Sequence, residues 1–490
     1  MSTTDEEGNY PVTPTLLVLV SSLLSVCVIS WLWKRRNEGA KDPISVLPLP
    51  PGNMGWPLIR ENLQFFLKGS DFFVERFKKY GRIYKTHVFG APMVRLSGAD
   101  YIRPLVSKEP NLMTMKITQS ARYLFGGQSL TSVTGEEHPK LKKKLLAALT
   151  PVRLDDYLPC IQDKVRAHVL DWCDRGHVLG FPACDALMAE LVLELTLGWS
   201  KDNDPMGVVR NAFITVNQNM ISVPLKIPGT GFYKAAKAKK VITDFIKKRL
   251  SRESDKDHVC ILDVLLVGHG EDGRDAGLTE EQIIDNAVTF LIAGSGTTSG
   301  ALSCLLLMLG KHPEVLSKLR EELSSKGLIE TEKDIPLTYD LLQELDYVQW
   351  LNKEVLRLLP PVGGVFRQAE KTVEVGDYQI PKGWTVMYSI RDTHFNTHVF
   401  EHRDEFIPER WGDKDLEATL RKTEACNYLP FGSGPRSCLG KALALVEMSV
   451  FLVEVARVAD WKLHNPDARM VYLPVTKCAD DMPVTFTRRC

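Results

Sequence analysis

Nowhere in this sequence do two cysteines stand in C-x-x-C spacing, although it holds ten of them. They are scattered and nearly all lie in apolar segments. That argues against a zinc ribbon or a disulfide framework and for reduced residues in a reducing compartment. An excess of either charge is also missing, since Lys plus Arg and Asp plus Glu both total 61. A chain so balanced carries no electrostatic footprint for nucleic acid, and no nucleic-acid partner is expected. After residue 60 there is no low-complexity linker, repeat or block of like charge. A length of 490 residues alone suggests two or three domains, yet the missing linkers favour one large, mostly helical unit.

One cysteine sits in a different setting. Phe431-Gly432-Ser433-Gly434-Pro435-Arg436-Ser437-Cys438-Leu439-Gly440 is a glycine-rich loop running into the helix-favouring stretch Lys441 to Ala456. Its backbone can turn tightly and present N–H groups to a sulfur. Arg436 and the helix N-terminus are both expected to lower the Cys438 thiol pKa. With no second Cys or His at chelate spacing, such a thiolate suits a single axial bond to haem iron better than a zinc site.

Leu16 to Trp33 is an almost uncharged apolar run of about bilayer-spanning length. Lys34-Arg35-Arg36 follows it and Asp5, Glu6 and Glu7 precede it. The basic flank is the wrong one for a secretory signal, and no small-residue cleavage site follows. The expected order is a lumenal segment 1–15, an anchor 16–33, a basic and proline-rich hinge 34–52 and a cytosolic body 53–490. Leu47-Pro48-Leu49-Pro50-Pro51-Gly52 should be a stiff extended connector. Arg82 to Val88 and Met93 to Leu96, separated by Gly90-Ala91-Pro92, are predicted to form a hairpin.

Three helical signals carry further candidate residues. His138-Pro139-Lys140-Leu141-Lys142-Lys143-Lys144 opens a helix ending near Leu149, with His138 and Lys142 one turn apart. On spacing alone this is a solvated basic face. Thr279 and Gln282 form a capping box for a helix of roughly 30 residues, stopped by Gly310-Lys311-His312-Pro313. Midway it carries Ala293-Gly294-Ser295-Gly296-Thr297-Thr298. Glycine in a helix interior costs roughly 1 kcal/mol, so close approach of a flat ligand is the reason sought for it. Threonine hydroxyls bonding back to carbonyls would open the ladder locally. Glu354-Val355-Leu356-Arg357 lies on a third helix ended by Pro360-Pro361 and precedes Phe406-Ile407-Pro408-Glu409-Arg410-Trp411.

Phe431, Gly434, Arg436, Cys438 and Gly440 match the F-x-x-G-x-R-x-C-x-G haem loop, and the chain resembles the cytochrome P-450 family over roughly residues 42 to 490. The resemblance implies a mainly α fold with small β-sheets, the haem-thiolate fold, preceded here by a transmembrane helix. The β-rich part is expected from residues 80–100 and 370–390 plus C-terminal strands. It implies haem b ligated through Cys438, with Arg436, Arg367 and, at the family's W-x-x-x-R positions, His138 and Lys142 at its propionates. Glu354, Arg357 and Arg410 become a buried network fixing the loop. Thr297, with Thr298 beside it, becomes the hydroxyl pair that delivers protons, although Gly296 replaces the usual acid and predicts slow or leaky turnover.

Stretches such as Tyr84-Lys85-Thr86-His87, Gly363-Gly364-Val365-Phe366-Arg367 and Tyr378 to Trp384 resemble the retinoic-acid-hydroxylase branch. The branch's aromatic pocket positions fall on Ile117, Ile221 and Ile292, with Phe366 keeping its ring beside Ala293. The resemblance therefore implies hydroxylation of a hydrophobic small molecule: retinoic acid, or a related isoprenoid or sterol. It uses O2 and an NADPH-dependent reductase docked on a basic proximal face to which Lys140, Lys143 and Lys144 belong. The expected location is the endoplasmic reticulum membrane, single-pass, with the catalytic part cytosolic. Two other readings stay open: a reductase-independent isomerase or dehydratase of lipid peroxides, and a non-catalytic haem or lipid carrier.

Overall fold

The thiolate loop owes its place to two helices that the sequence marks clearly. A computed structural model describes residues 14–38, 41–56, 59–109, 111–251, 260–267, 277–329, 335–396, 398–422 and 426–489. Most of the expected lumenal segment, with Asp5, Glu6 and Glu7, lies outside the described residues. The chain divides into two compact units, Met1–Arg95 with Lys371–Thr385, and Leu96–Glu370 with Val386–Cys490.

The first described element of the first unit is the helix Pro14–Glu38, within which Val18–Leu32 is an apolar stretch. Its large side chains are exposed, Val18, Leu19, Leu23 and Trp31 among them. The proline-rich connector is non-helical as expected. It is pinned by Gln379, whose amide donates to the Ser45 and Leu47 carbonyls at 3.0 and 2.6 Å. The hairpin forms from Ile83–Val88 and Ala91–Leu96. Phe89 and Gly90 take φ of 56° and 77° at its turn, the left-handed pair that suits a two-residue connection.

The second unit is built around the helix Glu280–Lys311. The capping box closes as expected, with Thr279 accepting from Gln282 N–H at 3.2 Å and the Gln282 carboxamide accepting from Thr279 N–H at 3.1 Å. This helix packs mainly on Gly180–Leu197, which is apolar nearly all round and correspondingly buried. Lys441–Val458 packs on Pro151–Arg175 in the same core. The basic helix runs Glu137–Leu146 and tightens to a 3₁₀ turn, Ala147–Leu149. The E-x-x-R helix is Asp346–Leu358. Strand Met113–Met115 pairs antiparallel with Gly364–Ala369, placing Met115 opposite Arg367. Pro483–Arg488 pairs with His177–Leu179 on one side and Ala459–Leu463 on the other. No disulfide forms among the described cysteines.

Candidate active site

Cys438 lies between a turn and a helix start. Gly432 and Gly434 take φ of 71° and 73°. Cys438 N–H donates to the Phe431 carbonyl and Ser437 N–H to that of Gly434, at 2.9 and 3.0 Å. A side chain at Gly434 would be strained, and its Cβ would stand 2.3 Å from Val106 Cγ1. Cys438 is accessible, but to a cavity inside the second unit whose wall it forms. The thiol pKa corrects the sequence expectation: burial raises it, against the Gly440 backbone hydrogen bond and the charges of Lys142 and Lys441. Desolvation by the packed loop outweighs the helix end and the nearby cations.

A buried network holds this loop. Arg357 bonds Glu354 through Nε and NH2, both at 2.8 Å, and neither side chain has any exposure. The Glu354 carboxylate also accepts from Arg410 Nε at 3.0 Å, Trp411 Nε1 at 2.9 Å and Ile407 N–H at 2.9 Å. The remaining Arg357 donors reach the Arg403 and Glu405 carbonyls at 2.6 and 2.8 Å. One carboxylate faces two guanidiniums, and the arginine donors left over end on backbone carbonyls, so no buried charge is left without hydrogen-bonding partners. His394, which sequence reasoning missed, joins network to loop: Leu429 N–H donates to its Nε2 at 2.9 Å. Its ring stacks on Tyr428, with centroids 5.3 Å apart.

The cavity measures about 370 Å³. Besides the Cys438 loop its wall includes one face of Glu280–Lys311, with Phe290, Ala293, Gly294, Thr297 and Thr298. Thr297 Oγ donates back to the Ala293 carbonyl at 2.7 Å. Thr298 bonds the carboxyl of Glu447, a second residue the sequence reading missed, whose pKa burial pushes up to about 8. The available signal was a pair of carboxylates, Glu447 and Glu454, inside the largely apolar Lys441–Val458 helix, of which Glu454 has Arg457 as its partner. Gly294 lines the cavity, whereas a Cβ on Gly296 would meet nothing within 4 Å. The second glycine therefore answers to no packing demand.

One end of the site is cationic. His138 and Arg436 line the cavity. Burial, with Arg436, Lys142 and Arg367 nearby, holds the His138 imidazole down at about 4 and so neutral. Burial lowers Arg436 to about 10. Its NH1 and NH2 donate to the Leu130 and Val133 carbonyls at 2.9 and 2.6 Å. Arg367 and Lys142 stand behind the wall. Arg367 is paired with Glu109, both nearly inaccessible, and Lys142 turns into the Cys438 loop.

Of the expected pocket residues, Ala293 lines the cavity and four do not. Ile292 points into the core at 7% exposure, and Ile221 is 70% exposed. Ile117 is half-buried away from the wall, and Val365 takes the place expected for Phe366.

Comparisons with known proteins agree with this geometry. The family model described as cytochrome P450 matches residues 50–471. The chain is similar to cytochrome P450 26A1 of Xenopus laevis, 35% identical over 484 residues, covering 97% of each chain. It is 34% identical to human cytochrome P450 26C1, over 96% of this chain and 94% of that one. Among solved structures it resembles the retinoic acid bound cyanobacterial CYP120A1, with a TM-score of 0.78 and 29% identity. That alignment covers 90% of this chain and all of the other. With the loop, its supporting ion pairs and the cavity-lining helix in place, these matches show that the chain belongs to the cytochrome P450 family.

Proposed function

We propose that this monooxygenase hydroxylates a hydrophobic small molecule, a retinoid or a related isoprenoid or sterol, with electrons from an NADPH-dependent reductase. The observation that carries the reading is that Cys438, Ala293 and Thr297 line one largely apolar cavity. Membership of the family implies a cysteine-ligated haem iron, and the residues present fit one. One cysteine thiol in the cavity wall, a helix wall with a small residue at 293 and a glycine at 294, and an end carrying Arg436 suit a flat ring system bearing carboxylates. We assign haem b to the site. When bound, it supplies the activation of O2.

The chain's own residues do the rest. Cys438 would offer its sulfur to the iron, and Arg436 and His138 would hold the carboxylate end. Thr297 keeps an acceptor lone pair toward the cavity while its proton is held by Ala293 O. Glu447 stores a proton beside Thr298 at neutral pH. The apolar walls exclude water and hold substrate by burial. The retinoid choice is supported by the retinoic acid in the structurally similar CYP120A1 and by the sequence resemblance. The helix with exposed Val18 to Leu32 is assigned as a single-pass anchor in the endoplasmic reticulum membrane, with the body cytosolic. The exposed Lys140 and Lys143 are assigned to the reductase-docking face.

Reconstitution with a microsomal reductase and NADPH, screening retinoids, sterols and fatty acids by mass spectrometry, tests the reading. An oxidised retinoid is the expected result. Absence of any product from retinoic acid overturns that substrate choice, and turnover of lipid hydroperoxides without reductase would support rearrangement chemistry instead.

A further inference from the structure

Lys142 makes contacts that its place in the sequence does not suggest. We propose that Lys142 is a positioning residue for the Cys438 loop, clamping the peptide in front of the thiolate, and that it holds no haem carboxylate. The inference rests on the haem-thiolate reading of Cys438. An ammonium group has three N–H donors. Lys142 Nζ directs them to the Pro435 carbonyl at 2.9 Å, the Ser437 carbonyl at 3.1 Å and Ser437 Oγ at 3.1 Å. No donor is left for a carboxylate in the cavity.

The consequence falls on the peptide unit joining Ser437 to Cys438. Its carbonyl is held by Lys142 and its N–H by the Phe431 carbonyl at 2.9 Å. Both sides of that plane are fixed, so the direction in which the Cys438 side chain leaves the backbone is fixed with it. The clamp also ties the helix Glu137–Leu146 to the loop. The carboxylate end is left to His138 and to Arg436, which keeps part of its five-donor fork after bonding Leu130 and Val133.

The test uses holoprotein and two readouts: haem content per chain, and the fraction of the ferrous carbonyl complex that keeps a thiolate-type Soret band. Lys142→Met is expected to retain haem while the fraction without thiolate ligation rises roughly tenfold, as for loss of a charge-assisted hydrogen bond. Ser437→Ala, which removes one of the three acceptors, should move that fraction in the same direction by less. Loss of haem from Lys142→Met, with the remaining haem still thiolate-ligated, overturns the clamp. So does a variant unchanged in both readouts. Should Lys142→Met not fold, Ser437→Ala decides, since it leaves the charge in place, and an unchanged thiolate-type fraction overturns the proposal. A wild-type protein that binds haem without a thiolate-type band overturns the reading of Cys438 itself, and is measured first.

Discussion

His394 donates from Nδ1 to the Arg357 carbonyl at 3.0 Å, and so fastens the E-x-x-R helix to the strand of chain that leads into the thiolate loop. A carbonyl can only accept, so Nδ1 carries the proton and Nε2 is the acceptor for Leu429 N–H. Burial holds this imidazole down at about 3. The side chain has no exposure, and both ring nitrogens are used.

His394→Phe keeps the ring volume and leaves the Arg357 carbonyl and the Leu429 amide unpaired. Each costs about 1–3 kcal/mol. The variant is expected to unfold at lower urea and to lose haem faster than wild type. The pH dependence has a definite sign. A histidine whose pKa falls on folding favours the folded state when neutral, so its contribution is complete above about 6.5 and is lost as pH falls toward about 3. His394→Phe should lose less stability than wild type between those limits. An acid-unfolding curve parallel to that of wild type would remove His394 from the account.

Glu354→Ala removes the carboxylate on which Arg357, Arg410, Trp411 and the Ile407 amide converge. Two arginines are left facing each other without compensation. Stranding a buried charge in this way costs about 3–5 kcal/mol. The expected outcome is a variant that fails to retain haem, measured as haem per chain after gel filtration. Full haem occupancy would show that the network does not support the loop.

The parts that were legible in the sequence are those whose signal is local. The capping box of Thr279 and Gln282 and the five fixed positions around Cys438 need only neighbouring residues to be read. The contacts of Lys142 are to residues 293 and 295 positions away, and chemistry at that separation leaves no periodic trace. Pocket residues failed for a geometric reason. One helical step turns the side chain by about 100°, so Ile292 faces the core where Ala293 faces the cavity. One strand step reverses the face, which separates Val365 from Phe366. The Cys438 thiol was misjudged because charges are visible in a sequence and desolvation is not.

Gly296→Glu tests the missing acid of the long helix. A Cβ there meets nothing within 4 Å, so the start of the new side chain fits without repacking. Replacing a helix-interior glycine should also stabilise the fold by about 0.5–1 kcal/mol. Product formed per NADPH consumed is expected to rise while thermal stability increases. Higher stability with an unchanged product ratio would show that the carboxylate is not what limits coupling.

Glu447 offers the alternative store of protons, and its titration can be separated from its chemistry. Burial pushes its carboxyl up to about 8, against the hydrogen bond from Thr298. In the unfolded chain the same group titrates near 4.5. A carboxyl raised by folding stabilises the fold when protonated, so its contribution is complete below that lower value and is lost as pH rises through about 8. The loss can reach about 1.4 kcal/mol per pH unit across this window. Glu447→Gln cannot ionise and should resist urea more evenly from about pH 5 to pH 8 than wild type does. Its infrared spectrum at neutral pH should lack a protonated carboxyl band that wild type shows. With no proton to release beside Thr298, the variant should also form less product per NADPH. A wild-type spectrum in which Glu447 is already ionised at neutral pH removes it as a proton store, and leaves Thr297 to draw on water alone.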